Sequence, residues 1–156
     1  MLIYIGADHR GFSLKEAIKK YLSDSGYEAV DFGNDKSDQD DDYVGFAIAV
    51  SKEVSKDPSA GRGILICGSG VGMDIVANKF RNVRASLCFS PDQAMAARND
   101  DDANILVLPS DFLDEEKAKK ITAVWLQTEF DGKERHTRRI KKIEGLEEKT
   151  ISYFGE

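Results

Sequence analysis

Short apolar runs alternate with amphipathic stretches along most of the chain. A short, continuous apolar run is typical of a strand that is buried on both faces of a parallel sheet. The pattern predicts five strands, at residues 2–5, 28–32, 64–67, 85–89 and 105–108. The longer stretches between them carry apolar residues at helical spacing, so strands and helices are expected to alternate.

The ends of several helices are also marked in the sequence. Ser13 and Glu16 have the spacing of a capping box, which predicts the start of the first helix, and Gly26 is placed to end it. Further helices are predicted at residues 43–54, at 73–79, from Ser90-Pro91, around 118–125 and from Lys133 onward. The alternation predicts one α/β domain over residues 1–156, a three-layer sandwich with helices on both faces of the parallel sheet.

Composition and charge exclude several classes of protein. The chain has 156 residues, 41% hydrophobic and 32% charged, which fits one globular domain. No apolar run approaches the roughly 18–20 residues of a membrane span, and the amino terminus lacks the features of a signal peptide. The net charge of −6 argues against nucleic-acid binding. Two cysteines without a paired spacing argue against a disulfide scaffold or a zinc site and favour the cytoplasm.

The loop of residues 68–72 is the strongest local signal for chemistry. Ligands of parallel sheets bind beyond the carboxyl ends of the strands, where this loop is expected. Gly68, Gly70 and Gly72 let the backbone fold tightly, and a helix amino terminus follows, so backbone N–H groups can hold an oxyanion or a phosphate. The spacing is neither that of a P-loop nor that of a dinucleotide-binding loop. A tight turn that binds no ligand is the alternative interpretation.

Cys67 stands directly before this loop. A thiol near a helix amino terminus has a lowered pKa, so Cys67 is a candidate general base or nucleophile. The alternative is that Cys67 is a small buried hydrophobic residue, which is the interpretation we give to Cys88.

Three further groups of polar residues are candidates. Asp8 and His9 follow the first strand, where a polar site is expected. Arg135 and Arg139 lie one helical turn apart and could hold a phosphate, although a solvated helix face would look the same. The acidic run 100–102 is either a solvated turn or part of a site. Together, these groups suit proton abstraction next to a carbonyl on a small phosphorylated substrate.

The residues that carry these features also resemble a known family, the type B ribose-5-phosphate isomerases with the galactose-6-phosphate isomerase subunits. The matching segments lie in order along nearly the whole chain: 6–12 (GADHRGF), 14–15, 42–43, 63–73 (GILICGSGVGM), 77–80, Arg98 with 103–106, and Arg135-His136 with Arg139. The resemblance implies a Rossmann-like fold and no metal or organic cofactor. It also implies dimers or tetramers whose active sites form between subunits.

The resemblance assigns a role to each matching position. Cys67 resembles the general base that moves a proton between C1 and C2, and the loop resembles the one that stabilises the enediolate. The residues that resemble substrate and phosphate contacts are Asp8, His9, Tyr43, Gly68, Ser69, Gly70, Val71, Gly72, Arg135 and Arg139.

The chain departs from the family pattern in two places. Asp100 and Asp101 stand where the family usually has His-Asn, and that histidine is the residue assigned to opening the furanose ring. We therefore expect a catalytic position at Asp100 and a substrate-binding position at Asp101. Asp111 stands where a basic residue is common. Ribose 5-phosphate remains the leading substrate, but a tetrose 4-phosphate, which cannot close a furanose ring, would not need the histidine.

One other class of function remains an alternative, and a receiver domain is excluded. A sugar-phosphate sensor without activity would keep the pocket but would not need Cys67. A receiver domain needs a lysine after the fifth strand, where this chain has Pro109, Ser110 and Asp111. The last predicted helix carries both a basic stripe and an apolar stripe, so we expect it to pack on a partner subunit in a homodimer or homotetramer.

Overall fold

The computed structural model describes residues 1–153, with side chains through residue 149. The strands are β1 (Leu2–Ala7), β2 (Glu28–Asp31), β3 (Gly61–Cys67), β4 (Ala85–Leu87) and β5 (Ile105–Pro109). The helices are α1 (Phe12–Asp24), α2 (Tyr43–Lys56), α3 (Val71–Ala77), α4 (Pro91–Asp101), α5 (Glu115–Gln127) and α6 (Glu134–Tyr153). Every predicted strand and helix is present.

The five strands form one parallel sheet in the order β2-β1-β3-β5-β4. Side chains alternate between the two faces of a strand, and β3 shows the consequence. Ile64 and Ile66 pack in a core with α1, α4 and α5, whereas Leu65 and Cys67 pack in a second core with α2 and α3. The predicted three-layer α/β sandwich is confirmed, and it has a Rossmann-like architecture.

Two of the predicted helix ends are confirmed and one is wrong. Gly26 has a φ of +79° and follows α1 as expected, and the Ser90 hydroxyl accepts the N–H of Gln93 at the start of α4. The predicted capping box does not form, because α1 already begins at Phe12. The N–H of Gly11 is bound by the carbonyl and the carboxylate of Asp8, and this turn starts the helix before Ser13 is reached.

The sheet order places the ends of β1 and β3 side by side at its centre. The chain leaves β1 for β2 on one side and then crosses back to β3 on the other. In open α/β sheets, a crevice forms where the strand order reverses in this way. Ala7 pairs with Ile66 in the register, so Asp8 and Cys67, which follow these residues, emerge next to each other.

The last helix, α6, packs only partly on the rest of the chain. Ile140 is buried, but Ile143 and Leu146 are 40% and 63% exposed. These two side chains line a groove of about 570 Å³ beside β4 and α4. Within the described residues, no helix is long and apolar enough to cross a membrane.

Candidate active site

The glycine loop, residues 68–72, joins β3 to α3 at the crevice. Gly70 has a φ of +79°, which glycine adopts without strain, and it immediately precedes α3. This turn directs the N–H groups of Gly70 and Met73 at the sulfur of Cys67. The first turn of α3 therefore faces the thiol, as the sequence pattern predicts.

Two side chains lie directly on the glycine loop. A Cβ atom added to Gly68 would come within 2.6 Å of the Arg10 guanidinium, and one added to Gly72 would come within 2.6 Å of the Tyr43 ring. An added side chain would displace the guanidinium or the ring, so glycine at these positions lets both side chains lie against the loop. The predicted substrate contact Tyr43 is thus brought to the loop, while Arg10 is a neighbour that sequence reasoning missed.

The ionisation of Cys67 differs from the sequence-based prediction. Cys67 is 5% exposed, and burial raises the pKa of its thiol above the ordinary value. The N–H groups of Met73 and Gly70 and the charge of Arg10 act in the opposite direction, but they do not compensate for the burial, to which Asp8 adds. The expectation of a lowered pKa was wrong for this chain, because it counted the helix terminus and not the desolvation.

Asp8 lies beside Cys67, and His9 follows it just after β1. Asp8 is 7% exposed, and burial raises the pKa of its carboxyl group despite the hydrogen bond from the Gly11 N–H. His9 pairs with Asp41 across 2.8 Å through Nδ1, so its Nε2 is directed away from that partner. Asp41 is held in turn by Asn34. The loop 33–42 thus orients the histidine.

The other predicted site residues lie at the opposite end of the sheet. Asp100 and Asp101 are at the end of α4, which runs back from the carboxyl edge to the start of β5. The two ends of β5 are roughly 13 Å apart at about 3.3 Å per residue, so Asp100 and Asp101 do not reach Cys67 of the same chain. Arg135 and Arg139 begin α6 near Asp100, exposed and one helical turn apart.

A chain of hydrogen bonds orients Arg135. His136, which is 2% exposed, accepts from Arg135 Nε at 2.9 Å and pairs with Asp131 through Nδ1 at 2.8 Å. Burial raises the pKa of Asp131, but hydrogen bonds from the Lys133 N–H, His136 and Lys133 Nζ outweigh it and hold this pKa well below its usual range. Asp131 is therefore ionised and fixes the imidazole tautomer against which the guanidinium is placed.

The same cluster offers the donor set of a cation site. One atom each of Asp100, Asp131 and His136 lie within 4.8 Å of one another. The oxygen atoms that would bind a cation already have partners. Asn99 donates hydrogen bonds to both carboxylates, and Lys133 pairs with Asp131 at 3.1 Å. A metal ion would have to displace these groups, so the arrangement suits a hydrogen-bond network better.

Comparison with known proteins places the chain in a family. The model of the ribose/galactose isomerase family matches residues 3–143. This chain belongs to that family. It is 41% identical to the probable ribose-5-phosphate isomerase B of Mycoplasma genitalium over 95% of its own length and 97% of the relative's.

Two further matches extend the comparison. The crystal structure of ribose-5-phosphate isomerase B from Mycoplasma genitalium with bound ribulose-5-phosphate superposes with a TM-score of 0.91 at 41% identity, covering 94% of this chain and 96% of that one. The D-erythrulose-4-phosphate isomerase of Pectobacterium atrosepticum is 37% identical over 83% of this chain and 85% of its own. The resemblance noted in the sequence motifs is thereby confirmed.

Sequence reasoning missed two residues that contribute to the site. Asp131 precedes the basic helix in an Asp-Gly turn, and only its contact with His136 reveals a role. Arg10 lies inside a quoted motif, but nothing in the spacing shows that its side chain folds over Gly68. Both depend on contacts between distant segments.

Proposed function

We propose that this isomerase interconverts ribose 5-phosphate and ribulose 5-phosphate. The observation that carries the proposal is the placement of Cys67, with the N–H groups of Gly70 and Met73 directed at its sulfur and Asp8 beside it. The activities named for the Mycoplasma relative and its ribulose-5-phosphate complex support the same substrate. The two free thiols, Cys67 and Cys88, suit a reducing compartment, so we place the reaction in the cytoplasm.

In the proposed reaction, Cys67 is the general base. Its thiolate removes the proton from C2 of the open-chain aldose, and the C2–H bonding electrons form a cis-enediolate with the carbonyl at C1. A proton moves from O2 to O1, and the thiol returns its own proton to C1, which leaves the ketose with its carbonyl at C2 and regenerates the thiolate. N–H groups of the loop that spans Ser69 and Val71 stabilise the negative oxygen of the enediolate.

We propose that a second copy of the chain completes the site. Within one chain, Cys67 lies at one edge of the sheet and the arginines Arg135 and Arg139 lie at the opposite edge. A substrate that contacts all three residues therefore needs two chains. The groove beside α6, where Ile143 is 40% exposed, offers an apolar surface for such a partner. A homodimer is the smallest assembly that meets this requirement, and a homotetramer would meet it as well.

A tetrose 4-phosphate is the second candidate substrate. Asp100, which replaces the family's ring-opening histidine, is 45% exposed on its side chain and accepts a hydrogen bond from Asn99. The imidazole that the resemblance assigns as the ring-opening proton donor is therefore missing from this position. A tetrose 4-phosphate needs no such donor, and the similar erythrulose-4-phosphate isomerase acts on a sugar of this length.

An assay of the purified chain on four-, five- and six-carbon sugar phosphates tests the proposal. Ribose 5-phosphate should give ribulose 5-phosphate with the highest kcat/KM of the panel. A higher kcat/KM on the tetrose 4-phosphate would favour the second candidate. Failure to convert any member would reject the isomerase activity and leave a sugar-phosphate sensor.

The variant Asp100→Asn tests whether this aspartate does the work of the ring-opening histidine. If it does, activity should fall on the cyclising pentose phosphate while activity on the tetrose phosphate stays within about twofold, because only the pentose needs ring opening. Asp92→Asn, an exposed aspartate at the other end of α4, is the control. Equal loss on both sugars would contradict the ring-opening role.

A further inference from the structure

The guanidinium of Arg10 is packed onto the glycine loop. A Cβ atom built on Gly68 would lie 2.6 Å from both Cζ and Nε of Arg10 and 2.9 Å from Nη1. Three guanidinium atoms at nearly equal distances mean that the plane of the group faces the Cα of Gly68. Gly68 directly follows Cys67, so this positive charge lies beside the proposed base.

Four contacts fix Arg10 relative to the loop. Its carbonyl accepts a hydrogen bond from the Ser110 hydroxyl at 3.1 Å, and its Nη2 donates to the Asp111 carboxylate. The N–H of Ser110 is bound to the Cys67 carbonyl at 2.9 Å, and that of Asp111 to the Gly68 carbonyl at 3.0 Å. The residues after β5 therefore tie the arginine and the loop into one frame.

The same guanidinium still has donors to offer. Its side chain is 56% exposed, and among the described residues Asp111 is its only hydrogen-bond partner. The N–H groups on Nε and Nη1 are thus open to a ligand at the mouth of the crevice. The floor of the crevice is different, because there the N–H groups of Gly70 and Met73 are directed at Cys67.

We propose that Arg10 is a substrate-binding residue whose guanidinium binds the phosphate of the sugar phosphate, and that Asp111 is the positioning residue that holds the guanidinium over Gly68. This inference rests on the proposed function for the identity of the substrate. A guanidinium N–H forms a charge-assisted hydrogen bond with a phosphate oxygen, which is stronger than a bond between neutral groups. His9, the preceding residue, also follows β1 and is oriented by Asp41.

The alternative is that Arg10 acts on Cys67 alone. Its positive charge favours the thiolate, so its removal could slow the proton transfer without any contact to the substrate. The two roles differ in what they change. If Arg10 binds the phosphate, its removal changes KM and the affinity for inorganic phosphate. If Arg10 acts only on the thiol, its removal changes kcat and leaves KM and the phosphate affinity unchanged.

Binding of inorganic phosphate, measured by titration calorimetry on the assembled enzyme, tests the inference with Arg10→Gln and Arg10→Lys. Arg10→Gln should weaken phosphate binding and raise KM by about 10- to 100-fold, the scale of a charge-assisted hydrogen bond. Arg10→Lys should recover part of this loss, because it keeps the charge but not the planar fork. Arg81→Gln is the matched control, since Arg81 is also exposed and paired with a carboxylate, Glu148.

The outcomes separate this inference from the proposed function. Phosphate affinity and KM within twofold of wild type in Arg10→Gln, or an equal loss in Arg81→Gln, would overturn the role of Arg10. A fall in kcat alone would overturn it in favour of the effect on Cys67. A wild-type enzyme inactive on ribose 5-phosphate would reject the proposed substrate, while the calorimetry would still show whether Arg10 binds phosphate.

Discussion

Cys67 is subject to opposing influences within a few residues of sequence. Burial at the end of β3 raises the pKa of its thiol, and two backbone N–H groups together with Arg10 lower it by less. The thiol form therefore dominates at neutral pH in the chain described here. A base that is mostly protonated when the site is empty gains activity as the pH rises, because only the thiolate can accept the proton from C2.

The pH dependence of alkylation measures this balance at the single residue. Carbamidomethylation of Cys67 by iodoacetamide should accelerate with a midpoint above about pH 8.5, the ordinary thiol value. Peptide mass spectrometry separates Cys67 from Cys88, which is fully buried and serves as the internal control because it should stay unmodified. A midpoint below pH 7.5 would mean that the helix terminus outweighs the burial.

At the scale of elements, α6 carries the proposed phosphate contacts. Arg135 and Arg139 are exposed and one turn apart, and Arg135 is oriented through His136 and Asp131. A pair of guanidinium groups held in this way suits a dianionic phosphate better than two freely moving side chains, because less conformational freedom is lost on binding.

Truncation of either arginine to alanine should weaken substrate binding by about 1.5–3 kcal/mol, seen as a rise in KM. Arg138→Ala is the matched control on the same helix, since Arg138 is exposed and paired with Glu134 at 3.5 Å. If the double variant Arg135→Ala/Arg139→Ala has an unchanged KM and unchanged inhibition by phosphate, the two arginines do not bind the phosphate and belong to a solvated helix face.

The elements were largely predictable from sequence, whereas their contacts were not. Apolar runs and local signals such as Gly26 and Ser90 placed the strands and most helix ends, because burial and capping depend on nearby residues. The start of α1 was missed, since a turn built by Asp8 preceded the apparent capping box at Ser13.

For the site, sequence identified the residues but not their arrangement. Cys67 and the glycine loop are contiguous, so their proximity could be predicted. That Asp100 ends far from Cys67 follows from its place at the end of α4, which returns the chain to the opposite edge of the sheet before β5 begins. The contact of Arg10 with Asp111 joins segments 101 residues apart and is equally invisible in the sequence.

At the scale of the whole molecule, the separation of Cys67 from the arginines divides the proposed site between two chains. Each subunit of a dimer would supply the glycine loop of one site and the arginines of the other. The incompletely covered side of α6 lies next to the short edge strand β4, where a partner chain could pack.

Complementation between two inactive variants tests this division. At substrate concentrations near the wild-type KM, Cys67→Ser and Arg135→Ala/Arg139→Ala should each be nearly inactive alone. Co-expression should restore roughly a quarter of the wild-type activity, because half of the dimers would carry one intact site of two. Co-expression of differently tagged copies of Cys67→Ser is the control and should restore none. No recovery in the mixed dimer, or a fully active 17.3 kDa monomer by light scattering, would contradict a shared site.

Isomerisation in deuterium oxide tests the central claim, proton transfer by Cys67, most directly. The wild-type chain should convert ribose 5-phosphate to ribulose 5-phosphate with deuterium incorporated at C1, because a thiol proton exchanges with solvent, and Cys67→Ser should lower kcat by about 10²–10⁴-fold. Proton NMR measures the deuterium at C1 of the product and the rate at which the product forms. Near wild-type turnover by Cys67→Ser, or turnover by the wild type without deuterium at C1, would contradict the account.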